Sequence, residues 1–190
     1  MSLDYNDNDN QDYEIINGQI YMMARPTLKH NRIAFNINKV FDRFLKGKIC
    51  ESHIEPDVFL DEINNFIPDV VILCDKSKIH DDDKGIYGAP DLVVEILSPS
   101  TAKRDIAEKK DTYEKFGVKE YWLVRPELKE ITVYHLKGCC LAVDNVYYYR
   151  TKAEYDNLKE QDQKAIISKF KTTLFTELEI DLEEVFENIF

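Results

Sequence analysis

Three acidic residues, Asp69, Asp91 and Glu95, lie in the two most apolar segments of this 190-residue chain, where little is available to compensate a negative charge. Asp69 opens the segment 69–74 (DVVILC), and Glu95 lies near the close of the segment 91–97 (DLVVEIL). Burying an ionised carboxylate among apolar side chains is costly unless a cation or hydrogen bonds compensate it. A hard divalent cation such as Mg²⁺ is one compensator, held by one or two carboxylates together with water and substrate phosphate. The alternative is that Asp69 and Glu95 form ordinary salt bridges or lie at an exposed sheet edge.

The pairing of these two segments decides which acids meet. If the segments are neighbouring antiparallel strands, the start of the first lies beside the end of the second, which brings Asp69 next to Glu95. Asp91 would then be displaced by four residues, or roughly 13 Å at the rise of a strand. We therefore expect Asp69 and Glu95 to form the candidate pair, and Asp91 to act at the start of its strand or in the preceding turn.

A partner cation is offered by the helical segment that follows. Asp105, Lys109 and Tyr113 recur at i, i+4 and i+8, so they share one helix face. A helix that folds back over the strand could bring the Lys109 ammonium to Glu95. The alternative is a solvated charged face, which is the more common origin of such a pattern. His30, near the start of the first predicted helix, is by type a capping or packing residue, with a role in the site as the alternative.

The elements that position these residues follow from periodicity and turn chemistry. Segments 13–16 and 19–23 flank Asn17-Gly18, the strongest two-residue signal for a hairpin, because both turn positions need a positive φ. Apolar residues at helical spacing predict an amphipathic helix over 27–46 that lies on a sheet.

The rest of the chain alternates strand-like and helical segments. Strands are expected at 49–55, 58–60, 69–74, 91–97, 120–125, 131–136 and 140–150 (interrupted at 144–145), and helices at 102–116 and around 181–190. The connection 75–89 is polar and predicts a surface loop. Residues 1–12 predict a mobile acidic tail. Residues 13–190 predict a single α/β (α+β) domain with a mixed central sheet.

The formal net charge of −11 at first argues against a binder of phosphate backbones, which usually carries a basic surface. The acidity lies mainly at the two ends, because residues 1–14 and 151–190 each carry −5 and residues 15–150 carry −1. The candidate site lies wholly inside that central stretch. Composition therefore does not exclude an anionic substrate.

Other features indicate a cytoplasmic protein. No run approaches the ~18 consecutive apolar residues of a membrane span, so we expect no membrane partner. The acidic, polar N-terminus is the reverse of a signal peptide. The four cysteines show no C-x-x-C spacing and are expected to be buried free thiols rather than zinc ligands.

Taken together, these residues resemble a known family. The matching features, in chain order, are Tyr13-Glu14-Ile15-Ile16-Asn17-Gly18, His30, Pro68-Asp69, residues 90–100 (PDLVVEILSPS), Asp105, Lys109, Tyr113, Gly117-Val118 and Glu120-Tyr121-Trp122. The combination is similar to the Uma-two family, whose members are described as restriction-endonuclease-like proteins of the PD-(D/E)xK nuclease fold. The resemblance implies a restriction-endonuclease-like mixed central sheet flanked by helices.

The resemblance also implies a metal site. Asp69 and Glu95 would be the metal-binding acids, joined by the main-chain carbonyl of Ile96, with Mg²⁺ or Mn²⁺ as the cofactor. The lysine of the nuclease motif normally follows the glutamate by two residues, where this chain has Leu97. Lys109, on the following helix, matches the Uma-two pattern instead, which agrees with the argument from helix reach.

The activity implied is metal-dependent hydrolysis of phosphodiester bonds in nucleic acid. Asp69, Glu95 and Lys109 would be the catalytic residues, with His30 and the other two members of the helix face, Asp105 and Tyr113, in support. A homodimer is one expected assembly. Two other functions stay open: a non-catalytic binding or assembly module on the same fold, and a hydrolase of small phosphoesters.

Overall fold

A computed structural model describes residues 12–80, 84–98 and 104–189. The predicted mobile tail lies outside these ranges except for Asp12, whose main-chain carbonyl accepts a hydrogen bond from the Met23 amide. No helix within the described ranges is long and apolar enough to cross a membrane.

The described residues form thirteen strands and five α-helices, of which α1 is the longest. The strands are β1 (Tyr13–Ile16), β2 (Gln19–Met22), β3 (Glu51–Ile54), β4 (Val58–Asp61), β5 (Asn64–Phe66), β6 (Val70–Leu73), β7 (Ile86–Tyr87), β8 (Leu92–Ile96), β9 (Glu120–Arg125), β10 (Glu130–Lys137), β11 (Cys140–Tyr148), β12 (Lys169–Lys171) and β13 (Glu179–Asp181). The α-helices are α1 (Leu28–Leu45), α2 (Lys110–Phe116), α3 (Lys152–Asp156), α4 (Glu160–Gln163) and α5 (Leu182–Val185). A π-helical segment, Arg104–Lys109, leads directly into α2.

A mixed sheet lies at the centre, with the strand order β11-β10-β9-β8-β6-β3. Strands β8 and β9 run parallel, and the other neighbours pair antiparallel. The ladder between β10 and β11 shifts register between Val133 and Tyr134, passing over Asp144, within the interruption predicted at 144–145. The mixed central sheet expected from the sequence is confirmed.

A second sheet, ordered β2-β1-β5-β4-β7, covers part of the first. The predicted hairpin is confirmed, because β1 and β2 pair antiparallel and both turn residues have positive φ, 51° at Asn17 and 77° at Gly18. The surface loop predicted over 75–89 is wrong in part, since it contains β7, which pairs with β4. Strand β5 was not predicted either.

The central sheet buries both of its faces. Val70, Ile72 and Val94 belong to an apolar cluster with α1 and the C-terminal elements. The alternate residues, including Val71 and Val93, belong to a second cluster with the second sheet and α2. This double burial explains the near-continuous apolar character of the two central strands.

Helix α1 confirms the helix predicted over 27–46. Thr27 caps it, its hydroxyl accepting a hydrogen bond of 3.2 Å from the His30 amide. Its buried face, which includes Ile33, Ile37 and Phe41, packs in the first cluster. The cap therefore fixes His30 in the first turn of a helix anchored on the sheet.

The prediction of buried free thiols is wrong. Cys50 and Cys74 form a disulfide. They flank β3 and β6, whose antiparallel register pairs Glu51 with Leu73 and so places the two cysteines opposite each other. The remaining cysteines, 139 and 140, are free but exposed.

Candidate functional site

The antiparallel pair β6–β8 sets the position of the candidate acids. Val70 pairs with Val94, so Asp69 and Glu95 lie directly across from each other at one end of the ladder. Asp91 lies at the other end, where its carboxylate accepts hydrogen bonds from the Cys74 amide at 2.8 Å and the Lys119 ammonium at 2.7 Å. The structure thus brings together the pair chosen from the sequence and leaves Asp91 at a strand junction.

Asp69 links three elements. Its Oδ2 accepts a hydrogen bond of 2.5 Å from the Ile96 amide, and its Oδ1 lies 2.6 Å from Nε2 of His30. The Asp69 residue is only 7% exposed. His30 therefore orients one of the two candidate acids, a role that the sequence left open between capping and function.

Glu95 receives two donors from the helical segment that follows β8. Its Oε1 accepts hydrogen bonds from the Tyr113 hydroxyl at 2.9 Å and from the Lys109 ammonium at 3.2 Å. Burial, and then the neighbouring charge of Glu95, raise the pKa of Tyr113 well above its ordinary value. Tyr113 is thus a neutral phenol, able to donate to Glu95, throughout the physiological pH range.

Lys109 reaches the site because the helix lies over the face of β8 that carries Glu95. Lys109 ends the π-helical segment, and Tyr113 lies four residues later in α2, so both meet the same carboxylate. The Asp105 side chain, predicted on the same face, lies outside the described part of the structure.

Glu14, on strand β1, completes the cluster and was missed as a site residue. Its Oε1 accepts hydrogen bonds from the Ile67 amide at 2.9 Å and lies 2.6 Å from the Lys109 ammonium. Glu14 is 2% exposed. The signal available in the sequence was period-2 alternation, because Glu14 shares a strand face with the buried residue Ile16.

One cavity of about 320 Å³ is lined by five of these residues: Glu14, His30, Asp69, Glu95 and Lys109. Its wall is formed by Glu14, Met23, Ala24, Arg25, Pro26, Thr27, Lys29, His30, Glu55, Ile67, Asp69, Glu95, Ile96, Leu97, Ser98, Lys109, Pro126 and Glu127. A cavity of this size lies at the small end of the range typical of ligand sites. The three predicted catalytic residues therefore converge on one cavity.

Glu55 places another carboxyl in the cavity wall. Its backbone has a φ of 49°, in the left-handed region that non-glycine residues seldom adopt, and its amide donates a hydrogen bond of 3.2 Å to the Asp69 carbonyl. Burial raises the pKa of Glu55, and the charge of Asp69 adds to that rise. The cavity wall thus gathers acids closely enough for their charges to interact.

Comparison with known proteins assigns this chain to a protein family. The family model Uma2 (Uma-two), described as "Putative restriction endonuclease", matches residues 1–148. The chain belongs to the Uma2 family. The resemblance found in the motifs is therefore confirmed.

Two uncharacterized proteins and one solved structure are also similar to this chain. An uncharacterized protein of Synechocystis sp. (slr1290) is 30% identical over 136 residues, which cover 70% of this chain and 70% of that protein. A second uncharacterized Synechocystis protein (sll1609) is 27% identical over 114 residues, covering 58% of this chain and 64% of that protein. The crystal structure of "a putative nuclease belonging to DUF820" from Anabaena variabilis has a TM-score of 0.68 at 21% identity, covering 92% of this chain and 89% of that one. This structural likeness confirms the fold.

Charge and donor type bear on whether this Uma2 protein could hold a metal ion. Three carboxylates, on Glu14, Asp69 and Glu95, are at least 90% buried beside one equally buried ammonium, that of Lys109. His30 adds a second positive charge only when it is protonated. The cluster therefore keeps an excess of negative charge, which a cation would compensate.

The oxygen donors suit a hard cation. Carboxylate and main-chain carbonyl oxygens are the ligands of Mg²⁺ and Mn²⁺ rather than of softer metals. Within the described ranges, no group of three or more His, Cys, Asp or Glu side chains is placed to hold a metal unaided. A site built on Asp69 and Glu95 would need water and substrate to complete it, which is how Mg²⁺ is commonly bound.

Proposed function

We propose that this Uma2 protein is a nuclease that hydrolyses phosphodiester bonds with the help of Mg²⁺ or Mn²⁺. The observation that carries the proposal is the convergence of Asp69, Glu95 and Lys109 on one cavity, from two adjacent strands and the following helix. Family membership supports the same activity class. Nucleic acid is the proposed substrate.

The metal ion would be held by the Asp69 and Glu95 carboxylates and by the main-chain carbonyl of Ile96. When bound, it would supply Lewis-acid stabilisation of the phosphoryl oxygens and lower the pKa of a water molecule. Asp69 is already held by His30 and by the Ile96 amide, so its geometry would need little reorganisation.

Lys109 would act on the attacking water or on the substrate phosphate rather than on the metal ion. The Lys109 ammonium lies in the cavity wall 3.2 Å from Glu95, close enough to orient an attacking water or to stabilise negative charge that develops on the phosphate. The Tyr113 hydroxyl, a donor fixed by burial, would hold Glu95 in place while the lysine shifts.

Metal binding can be tested by calorimetric titration of Mn²⁺ into the wild type and into Glu95→Gln. We expect a single site in the wild type and its loss in the variant. Glu130→Gln is the matched control, because Glu130 is also buried but pairs with Arg125 outside the cavity. Equal Mn²⁺ affinity in the wild type and Glu95→Gln would refute the site.

Activity can be tested on single-stranded and plasmid DNA and on RNA with Mg²⁺, comparing the wild type with Lys109→Met. Loss of a group that stabilises charge in the transition state typically lowers kcat about 10²–10³-fold. Cleavage that persists unchanged in Lys109→Met would remove the role proposed for the lysine.

A second candidate is a hydrolase of small phosphoesters. The cavity volume of about 320 Å³ favours it, because a space of this size accommodates a nucleotide-sized ligand without requiring a long groove. The same metal site would serve both reactions. Turnover of a nucleoside monophosphate ester with no cleavage of any polynucleotide would decide for this second candidate.

A further inference from the structure

The Lys109 ammonium contacts two described carboxylates at unequal distances. It lies 2.6 Å from Oε1 of Glu14 and 3.2 Å from Oε1 of Glu95. All three side chains are no more than 4% exposed, so water screens these contacts little. Because charge attraction falls with distance and short charge-assisted hydrogen bonds are the stronger ones, the lysine is bound more tightly to Glu14.

We propose that Glu14 is a positioning residue that draws the Lys109 ammonium away from Glu95 and so leaves Glu95 able to bind a divalent cation. The inference rests on the proposed function in that it takes Glu95 as a metal ligand and Lys109 as the catalytic lysine. Glu14 itself would act through Lys109.

The backbone around Glu14 keeps it from following the lysine. Its Oε1 also accepts the Ile67 amide hydrogen, two residues before Asp69. The hairpin that carries Glu14 is tied to the neighbouring segment at its turn, where the Asn17 amide donates to the Asn64 side chain at 3.0 Å and the Gly18 amide to the Ile63 carbonyl at 2.9 Å. Glu14 is therefore held in place by backbone contacts that do not involve Lys109.

Without the charge of Glu14, the ammonium would keep Glu95 of these two carboxylates. A full Lys109–Glu95 ion pair would then compete with a metal ion for the same oxygens. Groups that orient a metal ligand typically change metal affinity or activity 10–100-fold when they are removed. The charge of Glu14 would thus act on the metal site without touching the metal.

A four-variant titration with Mn²⁺ alone tests this coupling, using the wild type, Glu14→Gln, Lys109→Met and the double variant. We expect Glu14→Gln to raise the Mn²⁺ dissociation constant at least about tenfold. In the Lys109→Met background the same substitution should change it less than about twofold, because there is no ammonium left to redirect. Equal affinity in Glu14→Gln and the wild type, or a double variant as weak as Glu14→Gln, would overturn the proposal.

The four-variant titration also distinguishes a positioning role of Glu14 from a general structural role. Glutamine keeps an acceptor for the Ile67 amide, and Glu130→Gln serves as a control for loss of a buried carboxylate elsewhere. If Glu14→Gln alone does not fold, the comparison of Lys109→Met with the double variant still decides: a large difference in Mn²⁺ affinity means that Glu14 acts independently of the lysine, and the inference fails.

A spectroscopic readout distinguishes this inference from the proposed function. In a ¹H–¹⁵N correlation spectrum, the Lys109 ammonium, identified as the signal absent from Lys109→Met, should exchange slowly in the wild type because it is buried and hydrogen-bonded. We expect that signal to broaden or vanish in Glu14→Gln and to persist in Glu130→Gln. An unchanged signal in Glu14→Gln would refute the claim that Glu14 positions the Lys109 ammonium. No Mn²⁺ binding by the wild type refutes the metal function and the metal half of the inference, whatever the ammonium signal shows.

Discussion

Replacing Lys109 by methionine isolates the contribution of one buried positive charge. Methionine is unbranched and of similar length, so it fills most of the space and leaves little cavity. Glu14 and Glu95, which lie 2.6 and 3.2 Å from the ammonium, would lose their nearest cation. Both carboxylates are at most 3% exposed, so solvent cannot take over that role without a structural change.

The expected loss of stability is large for a single substitution. Removing one partner of a buried ion pair typically costs about 3–5 kcal/mol, because the remaining charge is left uncompensated. For a chain of this size each kcal/mol lowers Tm by about 2–4 °C, which gives a decrease of roughly 6–20 °C. Urea denaturation followed by circular dichroism measures the free energy of unfolding, and thermal denaturation measures Tm.

Lys119→Met is the matched control. Lys119 makes an ion pair of comparable length, 2.7 Å to Asp91, but its side chain is 61% exposed. Exposed pairs contribute about 0–1 kcal/mol, so we expect a loss within that range. If both variants lost less than about 1 kcal/mol, the reasoning from burial would be refuted.

Metal ions extend the same experiment. A cation that binds only the folded protein stabilises it by about 2.7 kcal/mol at a hundredfold excess over its dissociation constant. Mn²⁺ should therefore restore much of the stability lost in Lys109→Met, because it replaces the missing positive charge beside Glu95. If Mn²⁺ stabilised Lys119→Met but not Lys109→Met, the result would show that Mn²⁺ binding needs Lys109 and not only the acids.

Two further substitutions test single contacts. Tyr113→Phe removes one donor from Glu95, and since hydrogen bonds to charged groups contribute about 1.5–3 kcal/mol, urea denaturation should show a loss in that range. Glu184→Gln removes the ion pair with Arg43, whose side-chain hydrogen bonds and charge lower the pKa of Glu184. The stabilisation of the folded protein by this pair should therefore be present above the unfolded-state pKa near 4.3 and should be lost as pH falls through the lower folded-state pKa. We expect a difference from the wild type of about 1 kcal/mol or less at pH 7, which vanishes once the pH has fallen below the lowered pKa of folded Glu184.

The two strands that carry the acids could be predicted because each is recognised from the residue types within its own segment. Apart from these acids both segments are apolar, and the antiparallel alternative alone places Asp69 beside Glu95 and moves Asp91 away. A shift of one residue in the register would move Glu95 to the opposite face of the sheet, away from Lys109 and Tyr113. The helix over 27–46 and the hairpin at Asn17-Gly18 were predictable for the same reason, because capping and turn chemistry act within a few residues.

The hairpin β1–β2 and strand β4 of the second sheet were predicted, but β5, β7 and the assembly of the sheet could not be, because β5 and β7 are short and the sheet joins segments that are distant in sequence. Strand β5 contains Asn64 and Asn65, residues that are unusual in strands. Asn64 is nevertheless 2% exposed, because its side chain accepts the Asn17 amide hydrogen across 47 positions of sequence. Strand β7 has two residues and pairs with β4, more than 25 positions earlier.

Glu14 was missed for a related reason. Its burial depends on this second sheet and its partner Lys109 is 95 positions away, so alternation in β1 alone could not distinguish it from a solvated acid. The disulfide between Cys50 and Cys74 likewise depends on the β3–β6 register and not on cysteine spacing.

The position of the lysine follows from how the strand face is filled. Val93, Glu95 and Leu97 lie on the same face of β8, and the position two residues after the glutamate is occupied by an apolar side chain that is 9% exposed and packs in the second cluster. A lysine there would have to bury its stem in the same packing. Lys109 instead approaches from a helix that already covers this face, so the ammonium reaches Glu95 while Leu97 keeps its place in the core. Because the helix also carries Tyr113 to the same oxygen, one packed element supplies both donors, and the strand is left to supply the carboxylate alone.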